Sequence, residues 1–204
     1  MPYDIKPDWV KSRLKNNRLI GNKEKKMDWK KIIDKYYDGQ EELKTILITH
    51  SKSVADKALA IAEAHPELKL DREFLLEAGM LHDIGIIKTD APGIKCYGTE
   101  PYIRHGILGG KMLREEGYPR HARVCERHTG AGLSLHDIIS QDLPLPHEDL
   151  LPETMEEKVI CYADKFFSKT KLDREKTLEA AEKSVAKHGS DGLKRFKEWE
   201  RIFG

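Results

Sequence analysis

Six residues of this chain have the types and placement that metal chemistry needs: His50, His82, Asp83, His105, His128 and Asp164. Four of them fall on the apolar faces of predicted helices. A His or Asp facing a helical core needs a partner, because an unpartnered polar or charged group loses several kcal/mol on leaving water. One buried imidazole is commonly satisfied by a backbone carbonyl. Six such groups recurring along one helical chain are more economically satisfied by one or two shared ions. Imidazole and carboxylate donors suit Mn, Fe, Ni, Zn or Mg, and a histidine-rich set leans toward the transition metals, Fe or Mn first.

His50 lies on the line Ile46, His50, Val54, Ala58, Ile61, so it faces the core of its helix. Taken alone, a structural histidine is the simpler reading of it. His82 and Asp83 end a helix whose inner face is Phe74, Ala78 and Leu81. Adjacent helical residues diverge by about 100°, yet at a helix end both side chains can reach one ion. Asp83 can also bridge two ions, since a carboxylate has two oxygens and an imidazole one free nitrogen. Leu-His-Asp-Ile occurs twice, at 81–84 and 135–138. The first copy closes a well-patterned helix and runs into Gly85; the second sits amid Gly132, Ser134 and a proline-rich stretch. The pair 82–83 is therefore taken as ligands, and His136 and Asp137 as loop residues or substrate contacts. Asp164 interrupts the apolar run Val-Ile-Cys-Tyr-Ala-Asp-Lys-Phe-Phe, where the competing reading is a salt bridge. His105, among Ile103, Ile107 and Leu108, and His128, four residues after Val124, supply the nitrogens a second ion needs.

The elements that must position these residues follow from a 3.6-residue apolar period running from Met27 onward. Predicted helices cover 28–37, 41–64 (closed by Pro66), 72–83 (N-capped by Asp71), 101–116, 119–129, 154–169 (with Thr154 and Glu157 as a capping box), about 173–188 and 191–203. The stretches 86–100 and 130–152 are predicted to be irregular and long enough to line a site. Period-2 runs are absent, so the fold class is all-α. Three parts are expected: a basic, weakly ordered extension over 1–26, the main domain over 27–170, and C-terminal helices over 171–204 that pack on or extend it. Met27 is a candidate alternative start. Lys+Arg 36 against Asp+Glu 35 gives a net charge of +1, so neither a nucleic-acid nor a membrane partner is expected. Three widely spaced cysteines without a CxxC fit reduced core residues and a cytoplasmic location. A homodimer is left open.

The order His … His-Asp … Asp, in the phrases Thr49-His50-Ser51, Gly79-Met80-Leu81-His82-Asp83-Ile84-Gly85 and Tyr162-Ala163-Asp164-Lys165, resembles the HD superfamily of metal-dependent phosphohydrolases over roughly 45–170. His105-Gly106 and His128-Thr129-Gly130 resemble its extra-histidine subgroup, which includes bacterial diadenosine-tetraphosphate hydrolases with two metals. The resemblance implies an HD-domain helical bundle around a buried metal centre. It also implies hydrolysis of a phosphate ester or phosphoanhydride in a nucleotide-like substrate by a metal-activated hydroxide. Asp83 and Lys165 are the expected catalytic residues, and Lys88, Arg104, Arg127 and Lys165 the expected substrate contacts, with Arg123 a further candidate. Ile86 and Ile87 separate Lys88 from the His-Asp-x-Gly phrase, where some members continue directly with Lys. Two other readings share the ligand set: a di-iron oxygenase of the same fold, and a non-catalytic module that binds metal or nucleotide.

Overall fold

A computed structural model describes residues 27–172, 174–187 and 189–204; the expected extension over 1–26 lies outside the described residues. Asp28 accepts a hydrogen bond from the Lys31 amide and starts α1 (Trp29–Tyr36). The longest helix, α2 (Glu41–Ala64), stops just before Pro66. Asp71 accepts from the Phe74 amide at the start of α3 (Arg72–Leu81). A 3-10 turn (Ile84–Lys88) leads into strands β1 (Thr89–Ala91), β2 (Cys96–Tyr97) and β3 (Glu100–Pro101). There follow α4 (His105–Glu115), α5 (Pro119–Arg127), α6 (Leu135–Ser140), α7 (Met155–Asp164), α8 (Leu178–Ala186) and α9 (Ser190–Phe203). Among the described residues none of the helices is long and apolar enough to cross a membrane.

The fold is predominantly helical, with local departures from the sequence reading. The stretch 86–100 holds a small sheet in the order β2-β1-β3, with β1 antiparallel to β2 (Asp90 opposite Tyr97) and parallel to β3 (Thr89 opposite Glu100). Strands of two or three residues are too short to print a period of two on the sequence. The stretch 130–152 contains α6, started by a capping box in which Ser134 accepts from the Asp137 amide and Asp137 accepts from the Ser134 amide. Helix α7 ends at Asp164 rather than 169: Lys165, Phe166 and Phe167 donate to carbonyls three residues back, tightening the chain out of the α-helix. Helix α8 starts at Leu178, where the Thr177 side chain caps the Ala180 amide.

Among the described residues two large apolar clusters organise most of the helices, and a small third one, with Leu133, Ile138, Leu145 and Leu150, holds α6. The first large cluster holds Val54, Ala58 and Ile61 of α2, Phe74 and Ala78 of α3, the inner face of α7, and Ala181, Val185, Phe196 and Trp199 of the last two helices. The second holds Ile33 of α1, Leu43 and Leu47 of α2, Leu81 and Ile84, Leu113 of α4 and Cys125 of α5. His50 thus sits at the seam of the two large clusters, between Leu47 and Val54 on α2, and His82 at the same seam after Leu81. Close backbone approach brings α4 and α5 to it. A Cβ on Gly85 would lie 2.1 Å from the His105 carbonyl oxygen and 2.3 Å from the Gly109 nitrogen, and one on Gly106 would lie 2.4 Å from the Cys125 carbonyl oxygen.

Backbone cannot yield to a methyl group as a flexible side chain can. Gly85→Ala is therefore expected to destabilise the fold by about 3 kcal/mol in urea unfolding. Gly93→Ala, where a Cβ meets nothing within 4 Å, is expected to stay within about 0.5 kcal/mol of the native protein.

Candidate metal centre

Four side chains from three elements converge at the seam: His50 from the middle of α2, His82 and Asp83 from the end of α3, and Asp164 from the last residue of α7. All are buried, His82 and Asp83 completely. The Nε2 of His50 lies 3.1 Å from Asp83 Oδ2 and 3.0 Å from Asp164 Oδ1, and the Nε2 of His82 lies 3.1 and 3.5 Å from the same two oxygens. A second group shares Asp83 through its other oxygen. His105, the first residue of α4, and His128, just past α5, place their Nε2 atoms 3.4 Å each from Asp83 Oδ1 and 3.0 Å from each other. Within each group, {His50, His82, Asp83, Asp164} and {Asp83, His105, His128}, the donor atoms lie within 4.8 Å of one another.

Three of the four imidazoles are anchored by a common device. The Nδ1 of His82, His105 and His128 lies 2.7 Å from the carbonyl three residues earlier, that of Gly79, Tyr102 and Cys125 respectively. A proton held at Nδ1 by that carbonyl leaves Nε2 as a lone-pair donor aimed inward, the tautomer a metal ligand requires. Four of the inward atoms have no hydrogen bond of acceptable geometry: His50 Nε2, His82 Nε2 and both Asp83 oxygens, all buried. Buried polar atoms left so are rare and costly. Their types and convergence fit one divalent ion in the first group and a second in the group with His105 and His128.

The electrostatics are those of a tightly coupled cluster. Burial opposes charge on His82, but Asp83 and Asp164 outweigh it and raise its pKa to about 9. Burial prevails at His105, pushing it down to about 3, and lowers His128 as well. Asp83 stays ionised against its burial through Lys169 and His82, and Asp164 through Lys165 and His50.

A cavity of about 410 Å³ opens onto the centre, lined on the inner side by His105, His128 and Asp164 and on its walls by Ile94, Tyr102, Ile103 and Phe167. Lys165 lines it too, with its ammonium 2.6 Å from Asp164 Oδ2 and donating to the His128 carbonyl at 3.1 Å. The other expected phosphate contacts are not among the cavity's lining residues. Lys88 is exposed at the end of its 3-10 turn. Arg104 is drawn to Glu100 at 2.7 Å, Arg127 to the Leu151 carbonyl and Glu153, and Arg123 to Glu157 and Glu153. Each guanidinium is engaged by a carboxylate outside the cavity: Glu100 is a near neighbour of Arg104 in sequence, whereas the partners of Arg123 and Arg127 are some 26 to 34 positions away. Asp137 is spent on capping α6, and His136 is exposed beside it. Sequence reasoning passed over Lys169, whose ammonium lies 2.6 Å from Asp83 Oδ2, and Tyr102, stacked on His105 with ring centroids 4.8 Å apart. The four-residue spacing of Lys165 and Lys169 was the available signal for the former.

The family model described as HD domain matches residues 47–169, more than half of the chain and all six residues of the centre. The chain belongs to the HD-domain family. A related protein of Methanocaldococcus jannaschii, itself uncharacterized, is 33% identical over 146 residues, 70% of this chain and 79% of that protein. Two further relatives are tRNA (cytidine(56)-2'-O)-methyltransferases, 33% identical in Picrophilus torridus and 34% in Thermoplasma volcanium. The shared stretch spans 68% and 69% of this chain but only 36% and 40% of those proteins, so their named activity is not carried over to this HD domain. No solved structure matches the chain.

With His82 raised and His105 lowered, the ion-free HD domain is expected to be most stable near the ordinary histidine pKa of about 6.5. Toward pH 9 the stabilisation carried by charged His82 is lost as it deprotonates. Below pH 6.5 the unfolded chain protonates the equivalents of His105 and His128 before the folded one does, and stability falls again. Urea unfolding in chelator across pH 5–9 measures both arms; a flat profile would contradict this coupling.

Proposed function

We propose that this HD domain is a metal-dependent hydrolase that cleaves a phosphate ester or phosphoanhydride of a nucleotide-like small molecule. The observation that carries the reading is the division of Asp83: Oδ2 faces His50 and His82, and Oδ1 faces His105 and His128. One carboxylate is thereby offered to two donor groups. His50, His82, Asp83 and Asp164 would hold the first ion, and Asp83, His105 and His128 the second, with Fe or Mn favoured. Ions so held supply a water of lowered pKa and stabilise charge developing on phosphoryl oxygens.

The chain's own residues supply the rest. The carbonyl anchors fix the rings of His82, His105 and His128 before substrate arrives, so their orientation costs nothing at the moment of reaction. Lys165 holds Asp164 in place from the cavity wall and brings positive charge to the side a phosphate would enter. Tyr102, Ile94, Ile103 and Phe167 give that cavity an apolar wall, which suits the carbon framework of an ester rather than free phosphate. The two-ion reading rests on His105 and His128 sharing Asp83 with the first group. The cavity volume, near the lower end of the ~300–1,000 Å³ common for small-molecule sites, supports one nucleotide-sized ligand.

Elemental analysis of anaerobically purified protein, paired with phosphate release from a nucleotide panel, tests the reading. Two equivalents of a transition metal and released phosphate are expected. Asp83→Ala is expected to lose both ions and all turnover, His105→Ala to keep one ion, and His136→Ala to keep both. A native protein that stays without metal and turnover after Mn or Fe is added would overturn the proposal.

A further inference from the structure

Three lysines on the stretch after α7, Lys165, Lys169 and Lys176, line the cavity, whereas Lys171 and Arg174 of the same stretch are exposed. Two of them are engaged by the carboxylates of the centre itself: Lys165 with Asp164 Oδ2 and Lys169 with Asp83 Oδ2, each at 2.6 Å. The third, Lys176, donates to the Lys165 carbonyl at 3.1 Å. Asp83 Oδ2 is the oxygen that also faces His50 and His82 at 3.1 Å. An ammonium has no lone pair and cannot join these atoms as a ligand. It is a competing cation on an oxygen that the reading above assigns to a metal ion, and two cations on one oxygen repel strongly at low dielectric.

Lys169 has somewhere to go. Its ammonium lies 5.9 Å from the ring centroid of Tyr102, a residue of the cavity wall. Lysine is a point charge on a flexible four-carbon stem, suited to swing between two anions. Ser168 and Thr170 line the same space. We propose that Lys169 exchanges partners. It neutralises Asp83 in the ion-free protein; when a divalent ion takes that carboxylate, the ammonium turns into the cavity and, with Lys165 and Lys176, binds a phosphate dianion. This rests on the metal reading above and adds a coupling to it. Phosphate affinity rises when the centre is loaded, and by linkage phosphate tightens the bound ion by the same factor.

Calorimetric titration of the full chain tests the exchange without turnover, with Mn(II) as the ion and inorganic phosphate as the anion. Native protein is expected to bind phosphate at least about tenfold more tightly when loaded with Mn than when free of it, the scale of one charge-assisted hydrogen bond. Lys169→Met is expected to move the two affinities in opposite directions: Mn about tenfold tighter, phosphate on the loaded protein about tenfold weaker. Lys171→Met is expected to change neither. Equal phosphate affinity in loaded and ion-free native protein overturns the exchange, as does a Lys169→Met protein that retains native phosphate affinity. The native coupling needs no variant, so the exchange remains testable even where Lys169→Met does not fold. Failure of the native chain to bind Mn at all overturns the metal reading and the exchange together, whereas Mn binding without coupling overturns the exchange alone.

Discussion

Asp83 is fully buried, and within 3.4 Å of its two oxygens stand four imidazole nitrogens and a lysine ammonium. An ionised carboxylate in that position costs several kcal/mol unless compensating charge is brought to it. The groups that compensate come from α2, the end of α3, the start of α4, the end of α5 and the stretch after α7. Most of the architecture is a means of delivering positive or lone-pair atoms to one carboxyl group. The seam between two apolar clusters is where this can happen, because each cluster shields one flank from water while neither fills the space between them.

Delivery is local in direction and long-range in position. For His82, His105 and His128 the ring direction is set within three residues by a carbonyl of the same turn. Where those turns lie in space is set by backbone contact at Gly85 and Gly106, positions at which a side chain would collide with main-chain atoms. His50 follows neither rule. It stands in mid-helix, its Nδ1 has no hydrogen-bond partner, and its ring is held by packing and by the two carboxylates opposite.

What the sequence made legible divides along the same line. Apolar periodicity placed His50, Asp83 and Asp164 toward a core, since a helix carries its burial pattern in its own residues. The two Leu-His-Asp-Ile copies could be separated by context alone, and the structure puts one at the seam and the other at the start of α6, where Asp137 serves the helix cap and His136 is exposed. The cations resisted such reading. Arg104, Arg123 and Arg127 stand next to important residues in sequence, yet Arg104 settles on Glu100 four residues back, and Arg123 and Arg127 on Glu153 and Glu157, choices made by geometry across elements. Lys169 escaped for the opposite reason: the helix predicted through it ends at Asp164, and the tighter turn that follows is what swings its ammonium back to Asp83. The sheet and α6 were hidden because elements so short hold too few residues to show a period.

The centre is also spread widely along the chain. His50 and Asp164 are 114 positions apart, with His82, Asp83, His105 and His128 strung between them. During synthesis, at roughly 5–20 residues per second, the earliest of these residues has left the ribosome seconds before the last exists. Asp83 lacks its Lys169 ion pair, and His50 and His82 lack Asp164, in that interval. A nascent chain that ends just short of Asp164 already holds the residues of the apolar cluster built from α1 to α5 but an incomplete set of donors. The donor set is therefore completed only when Asp164, at the end of α7, has been made.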